Sequence, residues 1–93
     1  MHFEWDSEKE KTNIEKHGVS FREAAALLSS SEEYLEIYDV THSQEEDRFI
    51  AIGPLAERII VVVYTERPQD TVRVISARSA TKSEIQLYQE YRG

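Results

Sequence analysis

No cysteine occurs among the 93 residues, and glycine (3) and proline (2) are scarce. The first absence removes both a disulfide framework and a thiolate zinc site, so stability has to come from packing, which suits a reducing cytoplasm. No apolar run is long either. The longest, IIVVVY at residues 59–64, is far too short to cross a bilayer, and the opening MHFEWDSEKEK lacks the apolar stretch of a signal peptide. The expectation is a soluble cytoplasmic protein with no membrane association. Basic residues are outnumbered, 11 against 18 acidic ones, and the formal net charge of −7 argues against non-specific nucleic-acid binding by the whole surface. With 40% hydrophobic content and no repeat, low-complexity tract or linker, residues 1–93 should form one domain around one small core.

The average charge conceals a split. Residues 1–47 hold 13 acids and 4 bases, a balance of −9, whereas residues 48–93 hold 5 acids and 7 bases, a balance of +2. A local cationic site on an acidic body fits this division, although charge runs such as Glu45-Glu46-Asp47 are usually just solvated faces. The densest basic segment is TERPQDTVRVISAR, residues 65–78, which puts Arg67, Arg73 and Arg78 into one hairpin-like stretch. Arginine is the side chain best shaped to grip a phosphate or carboxylate with two parallel hydrogen bonds.

Along the chain, Asp6 can cap a helix that runs to His17 and stops at Gly18, the residue type that most easily takes the left-handed turn after a helix. Ile14 is its one strongly apolar residue, so docking through few contacts is expected, with Lys9, Asn13 and Lys16 aligned on a polar face. Ser20 and Glu23 form a capping box for a second helix, preceded by Val19 as a hydrophobic staple, and AAALL at 24–28 faces the core. SSSEE at 29–33 reads as a loop. YLEIY at 34–38 alternates like an edge strand, DVTHSQEED is a polar connection, and RFIAI at 48–52 is the next strand. IIVVVY has no polar residue and reads as a central strand covered on both faces, with TVRVIS at 71–76 as its antiparallel partner across a turn containing Pro68. Thr81 and Glu84 form a second capping box and open a last helix, in which either Ile85, Tyr88 and Tyr91 or Leu87 and Tyr91 can lie on one side. The architecture expected is α+β: two N-terminal helices, an antiparallel sheet of about four strands, and a C-terminal helix.

FEWD (3–6), KHGVSF (16–21), RFIAIG (48–53), VVVYTER (61–67) and RVISARSATKSE (73–84) together resemble the BrnT family of type II toxin–antitoxin toxins, in family order and over nearly the whole chain. The pairing of TER with ISARxAT carries most of the specificity. The resemblance implies a RelE-like fold, a ribonuclease activity that shuts down translation, and neutralisation by a BrnA antitoxin. Such a ribbon-helix-helix partner would bring operator DNA to a complex of two toxins and two antitoxins. The chain departs from the family at Ser79, where Lys or Arg is usual, at a last helix that is only weakly basic, and at SSSEE, where Asp-Pro is common.

Cleaving RNA without a metal needs a base for the 2′-hydroxyl, charge stabilisation at the phosphate and an acid for the leaving 5′-oxygen. His2, His17 and His42 sit at spacings unlike any metal motif, so no metal or other cofactor is expected. Arg67, Arg73, Arg78 and His17 are therefore the catalytic candidates, with Lys16, Arg48, Lys82 and Tyr88 as candidate RNA contacts. Each has a plainer alternative. His17 and Lys16 suit the negative end of a helix dipole, the arginines suit salt bridges to Glu66, Asp70 or the acidic first half, Arg48 suits Asp47 or Glu46, and Tyr88 at helical spacing suits the core, as Trp5 does. Geometry adds a condition: Arg73 and Arg78 are five positions apart, so they share a face only if their strand ends or bulges between them. Two other readings stand beside a ribonuclease toxin. One is a toxin-derived binding module that has lost activity and serves as partner and co-repressor of its antitoxin; the other is a DNA-binding regulator, for which no motif is present.

Overall fold

A computed structural model of the protein describes residues 1–30 and 34–93. Strand β1 (His2–Glu4) leads into helices α1 (Ser7–His17) and α2 (Phe21–Ser29). Strands β2 (Leu35–Tyr38), β3 (Arg48–Leu55), β4 (Arg58–Arg67) and β5 (Thr71–Ser79) follow, and α3 (Lys82–Arg92) closes the chain. A single 3-10 turn, Val40–His42, interrupts the polar connection between β2 and β3. Of the loop expected at residues 29–33, Ser29 ends α2 and Ser30 caps it, while 31–33 lie outside the described residues.

The helix boundaries follow from local hydrogen bonds. Asp6 accepts the backbone N–H groups of Glu8 and Lys9 at 2.9 and 3.1 Å, and Gly18 takes a left-handed conformation (φ 68°) while its N–H reaches the Ile14 carbonyl. Ser20 with Glu23 and Thr81 with Glu84 form the two reciprocal capping boxes, each satisfying two amides that a helix start leaves without partners.

The sheet has five strands in the order β1-β5-β4-β3-β2, all antiparallel except the outer β1–β5 pair, which is parallel. The strand beyond the expected four is β1, whose three residues are too few for their alternation to stand out from the helix start beside them. The apolar run of β4 lies at the centre. Its Ile60, Val62 and Tyr64 pack on one side against Phe21, Ala24, Leu27 and Leu28, and Val61 packs on the other against Ile52 and Tyr88. Gly53 is held to its size by this packing, since a Cβ there would lie 2.7 Å from the Tyr34 Cβ and 2.9 Å from a Leu27 methyl.

Helix α1 docks in a way its sequence conceals. Ile14, the expected anchor, is 44% exposed, whereas Asn13, expected on the polar face, is 7% exposed. The Asn13 amide donates to the carbonyls of Val19 and Ala77, both at 2.8 Å, and its Oδ1 accepts the Ala77 N–H at 3.2 Å. Strand β1 pairs with β5 only at residues 71–73, so the edge of β5 beyond them has no neighbouring strand. Asn13 offers that edge one donor and one acceptor, as a strand would. Polar helix residues become anchors where a buried backbone needs partners.

Removing this amide strands two carbonyls and an N–H in a dry setting, each costing about 1–3 kcal/mol when buried without a partner. Relaxation and water entry recover part of that sum, so Asn13→Ala is expected to destabilise the fold by about 2–4 kcal/mol in urea titration. Ile14→Ala should stay within about 1 kcal/mol of the parent. Equal effects of the two substitutions would show that α1 docks through Ile14 instead.

Candidate functional site

Side chains of paired residues in a sheet project on the same side, so the register fixes which groups meet. Arg48 on β3 faces Thr65 on β4, Thr65 faces Arg73 on β5, and Arg73 faces Glu4 on β1. These four form one row across the sheet. Arg67 lies two residues beyond Thr65 and joins the same face, while the intervening Glu66 points to the other side. The register also decides the question left open by the spacing of Arg73 and Arg78. Tyr64 pairs with Val74 and Val63 with Ser76, which leaves Ile75 as an extra residue in β5. Arg73 and Arg78 consequently oppose Thr65 and Val61, four positions apart on an unbulged strand, and share a face.

Arg67 and Arg73 are held by carboxylates other than the nearest in sequence. Arg73 reaches the Glu4 Oε2 at 2.8 Å, Arg67 approaches the same oxygen at 3.7 Å, and Arg67 lies 3.4 Å from Glu46. Glu66 is on the opposite face, and Asp70 binds the N-terminal ammonium group at 3.0 Å. Arg78 grips Glu84 as a fork, with both nitrogen–oxygen distances at 2.8 Å, which ties the end of β5 to the first turn of α3. Arg48 differs from the rest. It pairs with neither Asp47 nor Glu46 and forms no ion pair among the described residues; Asp47 instead accepts the Tyr38 hydroxyl. The Arg48 Nε and the Thr65 Oγ1 beside it are both buried without a hydrogen-bond partner, and Thr65 is 1% exposed. Two orphaned polar atoms on facing residues of an arginine row leave hydrogen-bonding capacity at that spot.

The remaining candidates are distributed around this face. Lys16 and His17 end α1, where they complement the helix dipole, and with Lys9, Thr12, Asn13 and the bulged Ile75 they line an open cleft of about 350 Å³ along the β5 edge. Asp6 stands at its rim. Its carboxyl is held below the usual range by the backbone N–H of Lys9, then that of Glu8, with smaller contributions from the Lys9 and Arg73 cations. Lys82 is exposed at the first position of α3. Tyr88 is 3% exposed and packs with Ile52 and Val61, so its ring is core and offers no open face to a base; Trp5 packs edge-on against Phe21. Sequence reasoning overlooked Glu4 and Thr65. Glu4 is hidden in a strand of three residues, and Thr65 is the residue preceding Glu66 and Arg67 in the TER motif. Among the described residues no group of three or more His, Asp or Glu could hold a metal ion, and no helix is long and apolar enough to cross a membrane.

The chain is thus of the α+β class, with a row of arginines on one sheet face and helix α2 packed on the other. Comparison narrows that class. The family model described as "Ribonuclease toxin, BrnT, of type II toxin-antitoxin system" matches residues 5–84, and the chain belongs to this family. The crystal structure of the Brucella abortus ribonuclease toxin BrnT superposes with a TM-score of 0.65 at 30% identity, covering 88% of this chain and 99% of that one. No curated protein sequence matches. The fold and family expected from the sequence are thereby established, with five strands in place of four.

The Arg78 fork, with the Thr81 backbone N–H, pulls the Glu84 carboxyl down to about 2 against the opposing effect of partial burial. A folded-state value below the ordinary 4.5 means that ionised Glu84 stabilises the protein above pH 4.5, and that this contribution is lost as pH falls toward 2. Urea stability measured between pH 5 and 2 should therefore fall less steeply for Glu84→Gln than for the parent. Parallel curves would mean that the fork contributes nothing to acid sensitivity.

Proposed function

We propose that this chain is a toxin that cleaves RNA without a metal ion, halts translation, and is silenced by a BrnA-like antitoxin encoded beside it. The row Arg48–Thr65–Arg73, with Arg67 adjacent and Arg48 lacking a carboxylate, carries this reading. A phosphodiester under attack by its own 2′-hydroxyl gains negative charge, and fixed guanidinium groups stabilise that gain without reorganising. Arg67 and Arg73 are placed to hold the scissile phosphate, Arg48 an adjoining one, and Arg78 a position nearer α3. Lys16 and His17 extend the track along the β5 edge, and Lys82 lies at its α3 end.

The antitoxin reading rests on the same face, because a partner that covers the arginines both blocks RNA and neutralises exposed positive charge. Its ribbon-helix-helix part would dimerise on operator DNA, giving a complex of two toxins and two antitoxins. Co-expression with the adjacent gene should yield that stoichiometry by light scattering, and failure of the two products to co-purify would remove the partner from the scheme.

Cleavage by the purified chain is expected to survive EDTA and to leave a 2′,3′-cyclic phosphate; loss in EDTA with rescue by magnesium would overturn the metal-free assignment. Arg67→Ala and Arg73→Ala should each lower the cleavage rate by about a hundredfold or more. Their thermal midpoints should stay close to the parent's, because exposed ion pairs are worth at most about 1 kcal/mol. Arg78→Ala is expected to lose both activity and stability, since it also deprives Glu84 of its partner. Full toxicity in both Arg67→Ala and Arg73→Ala would place the active site elsewhere. Folded parent protein that binds the antitoxin yet leaves RNA intact would favour the inactive binding module.

A further inference from the structure

Metal-free RNA cleavage needs a proton acceptor beside the phosphate, and the arginine face holds three carboxylates in contact with its guanidinium groups: Glu4, Glu46 and Glu84. Glu84 has both oxygens occupied, Oε1 by Arg78 and the Thr81 N–H and Oε2 by the second arm of the Arg78 fork. Glu46 lies outside the regular elements, in the connection before β3. Glu4 is fixed on β1 by its pairing with Arg73 and is 44% exposed, so a substrate can reach it. Its Oε2 serves Arg73 and Arg67, whereas its Oε1 has no partner among the described residues. His17, the acid–base candidate read from the sequence, lies in the cleft beside Ile75 rather than in this row.

We propose that Glu4 is the general base of the reaction, an assignment that rests on the ribonuclease reading above. With a phosphodiester on Arg67 and Arg73, the free Oε1 takes the proton of the adjacent 2′-hydroxyl. The O2′–phosphorus bond forms as the phosphorus–O5′ bond breaks, and the departing O5′ takes a proton from water at this open face. The products are a 2′,3′-cyclic phosphate and a 5′-hydroxyl, and Glu4 returns its proton to solvent. The same two arginines orient the base and hold the charge that the attack creates, so base and phosphate are positioned by one set of contacts. The charged and titratable groups around Glu4 are Arg73 on β5, Arg67 on β4, Glu46 before β3, and His2 and Asp6 on either side along its own segment.

The competing role is a clamp that only keeps two arginines apart. Glu4→Gln separates the two, because glutamine retains an oxygen for Arg73 but cannot accept the proton. Steady-state cleavage of a short RNA by the full chain, measured from pH 4 to 9, should lose about a hundredfold or more in kcat for Glu4→Gln, with KM within about threefold of the parent. The rise in kcat/KM on the acid side should disappear in this variant and persist, at a lower rate, in Glu4→Asp. Retention of kcat within tenfold, or a loss confined to KM, would overturn the assignment and leave Glu4 as a clamp. Parent protein that cleaves no RNA would instead sink the ribonuclease reading and the base with it. Loss of the fold in Glu4→Gln, judged by thermal melting, leaves Glu4→Asp to decide: a folded Glu4→Asp at parental rate and pH profile overturns the proposal, and a slowed one that keeps the acid limb supports it.

Discussion

The arrangement of this molecule depends on one amide lying against a strand edge. Strand β5 has β1 beside it for three residues and then continues with its outer edge bare, and an exposed edge of unpaired N–H and C=O groups is a place for wrong pairing. Asn13 closes the gap by bonding both polar groups of Ala77 while also holding the Val19 carbonyl between α1 and α2. Since β1 and α1 are separated only by Trp5 and Asp6, fixing α1 to the edge also limits where β1 can lie. The helix anchor, the fifth strand and the position of Glu4 beside Arg73 are thus linked. The contact between Glu10 and the Phe21 N–H at 2.9 Å adds a second tie between the two helices.

Charge is sorted by the alternation of the strands. In TER, residues 65–67, one step along β4 moves a side chain to the opposite face, so Thr65 and Arg67 meet the arginine row and Glu66 joins Glu36 on the side of α2. The bulge at Ile75 completes the sorting, because without it Arg78 would point into the core now occupied by Val62 and Ala77. A buried guanidinium there would need a partner that the apolar cluster cannot supply. The bulge is therefore a requirement of both packing and site geometry.

What could be read from the sequence divides by the range of the interaction. Both capping boxes, the Asp6 cap and the Gly18 terminator were legible because donor and acceptor lie within a few residues of each other. The central strand was legible from its unbroken apolar run. Asn13 was misplaced because its neighbours in the helix are charged, whereas its partner Ala77 is 64 residues away. The two hairpin turns carry Ala56, Gln69 and Asp70 at positive φ, so no glycine marked them. At the candidate site the arginines were visible as residue types and the need for a bulge could be stated, but the carboxylates that hold them could not. Glu4, Glu46 and Glu84 come from three separate segments, a strand, a connection and a helix, and only the tertiary fold brings them to the arginines.

On the ribonuclease reading proposed above, those carboxylates also explain how an acidic protein would act on RNA. Four arginines, at positions 48, 67, 73 and 78, and three glutamates, at 4, 46 and 84, give this cluster a net charge of only +1. Attraction to phosphate at a distance is therefore weak, and the acidic remainder of the surface weakens it further. What the glutamates supply is orientation: a guanidinium already held in place loses less freedom when charge develops in front of it. Stabilisation that grows with the charge of the transition state raises the rate, whereas equal attraction to bound RNA and transition state would only tighten binding. On that reading, a face arranged in this way would favour the phosphate geometry that reacts over nucleic acid in general.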